Sequence, residues 1–386
     1  MPAYNTSDLY NRIIQQQASE AFMKSCISEE SYCRILKAHP DKLYTPNYFV
    51  RLALGILTLV AVLFITALGI LFFGANSDST LETLMLLTGI ACYVVLELMI
   101  KTKKYFNAGV DNVLMFSTVL LIISTFFIDA ATSNYTLISG VIAVLCFLIC
   151  LRFTDAFMAG VSYLAFFVFV FLLYVKIGII AKASAPLLMM LVSAFVFFIA
   201  RKIEKIERTI IYSSSINTVK FLTLITFYVS VNYFVVKELN VEMFGLHFSA
   251  KSSVPLGWLF WILTIIIPPL YIFFGVAKKD FLFIRTGLIL VAATVLTIRQ
   301  YYLILPAEIV MLIVGVLLIS ISYFLIKYLR AVKRGYTFQN LHPADRRLLN
   351  AEALIIAQTF TPAAKIENNT LYGGGLGGGG GATGNF

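Results

Sequence analysis

Long apolar runs constrain this chain more than any motif in it. Crossing the hydrocarbon core of a bilayer takes about 20 apolar residues, with a range of about 17–25. Windows of that length recur ten times, at 52–73, 82–100, 110–130, 136–151, 156–175, 185–200, 219–236, 256–276, 281–298 and 305–326. Charges, Pro, Gly or short polar turns such as Asn76-Ser77-Asp78-Ser79 separate them. The 386 residues are 60% hydrophobic and 13% charged, whereas soluble domains run at about 45–50% and about 25%. One water-soluble core of this length has no room for 33 Phe and 20 Tyr. The expected fold is therefore all-α, a polytopic bundle of about ten transmembrane spans. A soluble enzyme, a disordered chain and a disulfide scaffold are excluded. The fourth and sixth windows are short, and Pro186 lies near the start of the sixth, so a full span and a partly re-entrant path are both open for these two.

The net charge of +10 is read as a membrane orientation signal, not as a nucleic-acid surface. Lys and Arg collect in short loops on the cytoplasmic side. With the N-terminus inside, the inner segments hold 25 Lys and Arg and the outer ones hold 5, namely Lys176, Lys182, Lys237, Lys251 and Arg299. An even number of spans then places both termini in the cytoplasm. The first apolar stretch begins near residue 52, too late for a signal peptide.

Residues 1–48 read as a cytoplasmic helical segment. Ser7 and Asp8 are placed to cap a first helix with Tyr10, Ile14, Gln17 and Ala21 on one face; Ser28 opens a second that ends at His39-Pro40. The pair either docks a soluble partner or lies against the inner face of the bundle. The ten-span domain covers 49–329 and a basic, amphipathic cytoplasmic segment covers 330–371. The basic run after the tenth window, Lys327, Arg330, Lys333 and Arg334, suits an anionic lipid surface, and a helix from Pro343 to Gln358 has one apolar side. Residues 372–386 are expected to be a disordered tail, since Gly373 to Phe386 contains nine glycines and no charge.

That tail, ending Gly-Gly-Gly-Gly-Gly-Ala-Thr-Gly-Asn-Phe, resembles the Gly-rich ending of bacterial TPM-domain membrane proteins, although no TPM domain precedes it. The layout as a whole is similar to uncharacterised bacterial polytopic inner-membrane proteins. They share a short cytosolic front, many spans and a segment like Tyr105-Phe106-Asn107-Ala108-Gly109-Val110-Asp111 entering the third span. The resemblance implies a bacterial inner (cytoplasmic) membrane location and carries over no chemistry.

Ionisable residues inside spans are functional candidates by default. Here they lie near span ends. Glu97, Asp111, Arg152, Asp155 and Arg285 are near the inner side; Asp129, Arg299 and Glu308 are near the outer side. Structural ion pairing is the expected role of Glu97, Lys101, Asp111, Arg152 and Arg285, with Glu97 and Lys101 spaced i, i+4; Arg299 and Glu308 flank a short outer turn. Cys26, Cys33 and His39 match no zinc spacing, so no metal site and no cofactor are expected. No P-loop, Gly-x-Ser-x-Gly or His-Glu-x-x-His motif is present, and the chain is read as a non-enzyme.

Uncharged polar residues remain. The seventh window carries Thr223, Thr226, Ser230, Asn232 and Tyr233, and the eighth carries Pro268-Pro269, where a kink would free carbonyls. If a solute path exists, it should run beside Thr226, Ser230 and Asn232, past a break at Pro268 and Pro269, with Arg299 and Glu308 at its mouth. Two functions follow. The first is a scaffold or accessory subunit of a membrane complex, contacting lipid and a protein partner through its termini. The alternative is a permease or channel for a neutral or weakly polar solute.

Overall fold

A computed structural model of the chain describes residues 2–23, 26–73, 78–128, 134–176, 179–244 and 256–301, with scattered residues between 312 and 330. Twelve α-helices are present among them. They are α1 (Thr6–Met23), α2 (Glu29–Ala38), α3 (Tyr48–Phe73), α4 (Asp78–Lys103), α5 (Val110–Ile128), α6 (Tyr135–Phe153), α7 (Ala156–Val175), α8 (Ile179–Ile203), α9 (Ser213–Val231), α10 (Tyr233–Phe244), α11 (Gly257–Lys278) and α12 (Phe281–Tyr301). Nine helices among the described residues are long and apolar enough to cross a membrane, and they coincide with the first nine windows. Most of the tenth window, together with the helix expected at 343–358, the Gly-rich tail, Asp129 and Glu308, lies outside the described residues.

The outer surface of the bundle is apolar like its interior, unlike that of a water-soluble protein. Leu71 and Phe72 are 76% and 78% exposed, while Ser193, Thr264 and Thr286 are fully buried. Leu and Phe face outward because lipid is as apolar as they are, and small polar residues face inward where helices approach closely. The chain is therefore an integral, multi-pass membrane protein.

Consecutive helices pack as antiparallel hairpins, α4 on α5, α6 on α7, α8 on α9 and α11 on α12. The last of these is held close by Gly275 and Gly287, where a Cβ would stand 2.6 and 2.8 Å from Ile284 and Ile272 of the facing helix. Two apolar cores result, one formed by α3–α7 with Tyr4 and Leu9 of the N-terminal segment and one centred on α9–α12, joined where α7 packs on α9. The fourth and sixth windows are complete helices. α6 has 19 residues and α8 has 25, with Pro186 inside it.

The two N-terminal helices form as expected, and Ser28 caps α2 by accepting the Ser31 N–H at 3.3 Å. At α1 the expectation is corrected. Asn5, not Ser7 or Asp8, supplies the cap, accepting the Ser7 N–H at 3.1 Å, and the buried residues are Asp8, Leu9 and Ala18, with Tyr10 exposed. The segment is sewn to one end of the bundle, here termed the basal end. The Ala3 N–H donates to the Arg152 carbonyl at 2.7 Å, Tyr44 exchanges backbone bonds with Lys104 and Phe106 at 2.9 and 3.1 Å, and the Arg12 guanidinium lies 4.7 Å over the Phe106 ring. Gly109, in the turn between α4 and α5, lets that turn pack on the start of α3. Its φ is +94°, and a Cβ there would fall 2.1 Å from the Arg51 carbonyl, in a backbone region that suits only glycine.

Candidate functional site

The seventh window does not form one helix. α9 stops at Val231, Asn232 is extended at φ −65°, ψ 126°, and α10 restarts at Tyr233. The break is thus at Asn232, and the expected interruption at Pro268-Pro269 is corrected, since α11 runs through both prolines. Nothing in the local sequence terminates α9 except the amide itself. Asn232 Oδ1 accepts the N–H groups of Phe234 and Val235 at 3.0 and 3.4 Å, so the residue caps α10 while ending α9.

A break in a helix leaves backbone groups without partners, and the packing around Asn232 answers each need. The Asn232 N–H takes the Val229 carbonyl at 3.3 Å, the group that Tyr233 would use in a regular helix. The Tyr233 N–H donates instead to Thr264 Oγ1 on α11 at 3.0 Å. Pro268 has no N–H, which removes the helical donor of the Thr264 carbonyl. Thr294 Oγ1 on α12 stands 3.3 Å from that carbonyl and 2.9 Å from the Leu290 carbonyl of its own helix, so its proton is shared between the two. Two irregularities on two helices are thus closed by one pair of threonines.

The Asn232 side chain completes the cluster. Its Nδ2 donates to Tyr228 Oη at 2.9 Å and Thr297 Oγ1 at 3.0 Å. Tyr228 Oη pairs with Thr294 Oγ1 at 2.9 Å, and Thr297 Oγ1 donates to the Ala293 carbonyl at 3.0 Å. Asn232, Thr264, Thr294 and Thr297 are all buried, and every donor of the amide is used within the protein. An open groove of about 570 Å³ runs alongside, lined by Tyr228, Asn232, Phe234, Thr297, Arg299 and Gln300 among others. Above the break Tyr233 stacks on Trp261 at 4.7 Å, with Tyr301 edge-on at 5.1 Å. Trp258, at the start of the same helix, is 66% exposed.

The residues expected along one path fall on two sides of α9. Asn232 shares its face with Tyr228, toward α11 and α12. Thr226 and Ser230 are turned the other way. Thr226 Oγ1 meets Tyr163 Oη on α7 at 2.5 Å and Ser193 Oγ on α8 at 3.1 Å, and Ser230 Oγ donates to the Thr226 carbonyl at 2.6 Å. Pro268 is buried and Pro269 exposed, and Arg299 is exposed at the far end of α12. Tyr228, Thr264, Thr294 and Thr297 were not singled out by the sequence, although the i, i+4 spacing of Tyr228 and Asn232 is a visible signal.

At the basal end Glu97 and Arg152 meet. The Arg152 guanidinium on α6 donates from Nε and Nη2 to the two carboxylate oxygens of Glu97 on α4, at 2.7 and 3.0 Å. Lys101 is peripheral at 3.7 Å. Asp111 and Arg285, expected to pair, are in no ion pair among the described residues. Asp111 Oδ1 accepts the Ala108 N–H at 2.8 Å, and with Tyr4, Asn107 and Asp155 it lines a cavity of about 30 Å³, the size of one water. Asp155 caps α7 through the Met158 N–H at 2.8 Å. Burial pushes its carboxyl above the usual range, opposed by the hydrogen bonds from the Met158 and Phe157 N–H groups; the Asp111 charge adds to the rise and Arg51 opposes it. Burial, then the charges of Asp111 and Asp155, push the Tyr4 phenol up as well.

Compared with family models, with curated proteins and with solved structures, the chain gives no match in any of the three.

Proposed function

We propose that this chain is a non-catalytic scaffold or accessory subunit of a membrane complex, resident in the inner membrane of a bacterium, with ten spans and both termini cytoplasmic. The observation that carries the reading is the closure of the Asn232 cluster. The buried Asn232 amide spends its donors on Tyr228 and Thr297, which is what helix-to-helix adhesion requires and a solute site does not. The anchoring of residues 3–12 and 44 to the basal end adds to it, because it holds α1 rigidly enough to display α2. That helix has no buried residue, and partners are expected there. The test is extraction from native membranes into polymer-bounded discs, followed by mass determination. A heteromeric assembly of fixed stoichiometry, dissolved by charge reversal on the exposed face of α2, is expected; a lone chain or a homo-oligomer contradicts the reading. Orientation is tested through Cys33, which is exposed. It should resist an impermeant maleimide in intact cells and react after permeabilisation.

A second reading, a permease or channel for a neutral or weakly polar solute, is favoured by one feature. A discontinuous helix beside a groove of about 570 Å³ is a recurrent way to build a substrate site in transporters.

A further inference from the structure

Basic residues from four parts of the chain converge on one cleft at the basal end of the second core. Arg201 comes from the last turn of α8, Lys220 from α9, Lys278 and Lys279 from the turn between α11 and α12, and Arg285 from the second turn of α12; together they line a cavity of about 930 Å³. Two acidic residues share it, Glu204 and Asp280. Glu204 is taken by Lys220 at 2.6 Å. The Asp280 carboxylate accepts the Leu282 N–H at 3.0 Å, capping α12. Arg201, Lys278 and Arg285 then share the cleft with the Asp280 carboxylate. Arg201 and Arg285 stand within 4.0 Å of no carboxylate among the described residues.

The position of Arg285 distinguishes this cleft from an ordinary basic loop. It follows Phe281, Leu282, Phe283 and Ile284 on a helix apolar enough to cross a membrane, so its backbone starts one turn into that helix, where a cation without a counterion is costly. The walls are mixed. Ser214, Asn217 and Thr218 add hydrogen-bonding groups on one side, while Phe281 and Ile289, 74% and 51% exposed, form an apolar side continuous with the lipid-facing surface. Guanidinium groups match phosphate oxygens in bidentate geometry, and basic pockets between spans are suited to phosphate headgroups.

We propose that the cleft between α8, α9 and the α11–α12 turn binds the phosphate headgroup of an anionic membrane lipid, with Arg201 and Arg285 on the phosphate and an acyl chain along Phe281 and Ile289. The shared chemistry with free phosphate is the oxyanion; the apolar wall selects the lipid.

The test uses the full chain in nanodiscs of phosphatidylcholine with a minor fraction of phosphatidylglycerol, released into native mass spectrometry. The wild type should retain one phosphatidylglycerol that the R201Q/R285Q variant binds roughly thirty-fold more weakly, as expected from two juxtamembrane cations. K202Q/K205Q removes the same charge from the same end but not from the cleft, and should retain the lipid. R201K/R285K keeps the charge, protects against a folding artefact, and should give intermediate retention because lysine lacks the bidentate fork. Equal loss in R201Q/R285Q and K202Q/K205Q would reduce the effect to diffuse attraction and overturn the site. Retention of inorganic phosphate in lipid-free detergent, with no lipid retained from nanodiscs, would overturn the lipid as its ligand.

Discussion

Thr264 Oγ1 on α11 accepts the backbone N–H of Tyr233 at 3.0 Å, so a side chain on one helix supplies the hydrogen bond that a neighbouring helix loses by breaking. The same residue offers its carbonyl to Thr294 because Pro268 has no N–H to give it. A helix break and a proline pair, each costly alone in lipid, are compatible because they face each other.

Replacing Thr264 by Val keeps the volume and removes the acceptor. The Tyr233 N–H is then buried without a partner, at a cost of about 1–3 kcal/mol. Thermal unfolding of the purified protein should show a lower midpoint for T264V and near-native behaviour for T264S. An unchanged T264V would mean that α10 is not held through this bond.

Asn232→Leu removes the amide that ends α9 and starts α10, and strips Tyr228 and Thr297 of their donor. The expected loss is more than about 2 kcal/mol, seen as reduced yield of folded protein in mild detergent. Intact folding of this variant would show that the break persists without its cap.

The Glu97–Arg152 pair spans α4 and α6, with the Glu97 side chain 13% exposed and that of Arg152 34% exposed. Partial exposure limits its strength. Arg152→Met should cost about 1–2 kcal/mol by leaving a half-buried carboxylate with only Tyr93 and Lys101. The E97Q/R152M double variant should recover part of that loss, and a double-mutant cycle of chemical unfolding measures the coupling. Strictly additive effects would show no pairing.

Asp155 is raised in the folded protein by burial. A carboxyl raised on folding contributes stability that is fully present below its unfolded value, about 3.9, and is lost as pH rises through its folded value. Asp155→Asn keeps a capping oxygen for the Met158 N–H and removes the buried charge. D155N should therefore unfold at a higher temperature than wild type near pH 7, with the gap closing as pH falls toward 4. A gap that widens on acidification would reverse the assigned sign.

The first nine span positions were legible because an apolar run of about 20 residues has few other stable destinations. The helix pair at the N-terminus was legible from Ser28 and from periodicity. The break at Asn232 was not, because residues 229–237 continue in apolar character and contain neither Gly nor Pro. Pro268-Pro269 gave the louder local signal, yet α12 supplies a hydroxyl to one freed carbonyl and the helix continues. Glu97 and Lys101 showed their pairing by spacing, whereas the stronger Glu97–Arg152 contact joins residues 55 apart and depends on which helices become neighbours. Likewise, periodicity placed Thr226, Ser230 and Asn232 near one another along α9 and did not show that Tyr163 and Thr297 would draw them to opposite sides.

The central claim is that the polar interior serves helix adhesion and not passage. Its most direct measurement is the swelling rate of proteoliposomes containing the full chain, challenged with gradients of glycerol, urea and erythritol. Rates equal to those of protein-free vesicles are expected for all three solutes. A faster rate for any of them, abolished by Asn232→Leu in protein that remains folded, would contradict it and place a solute path beside the break.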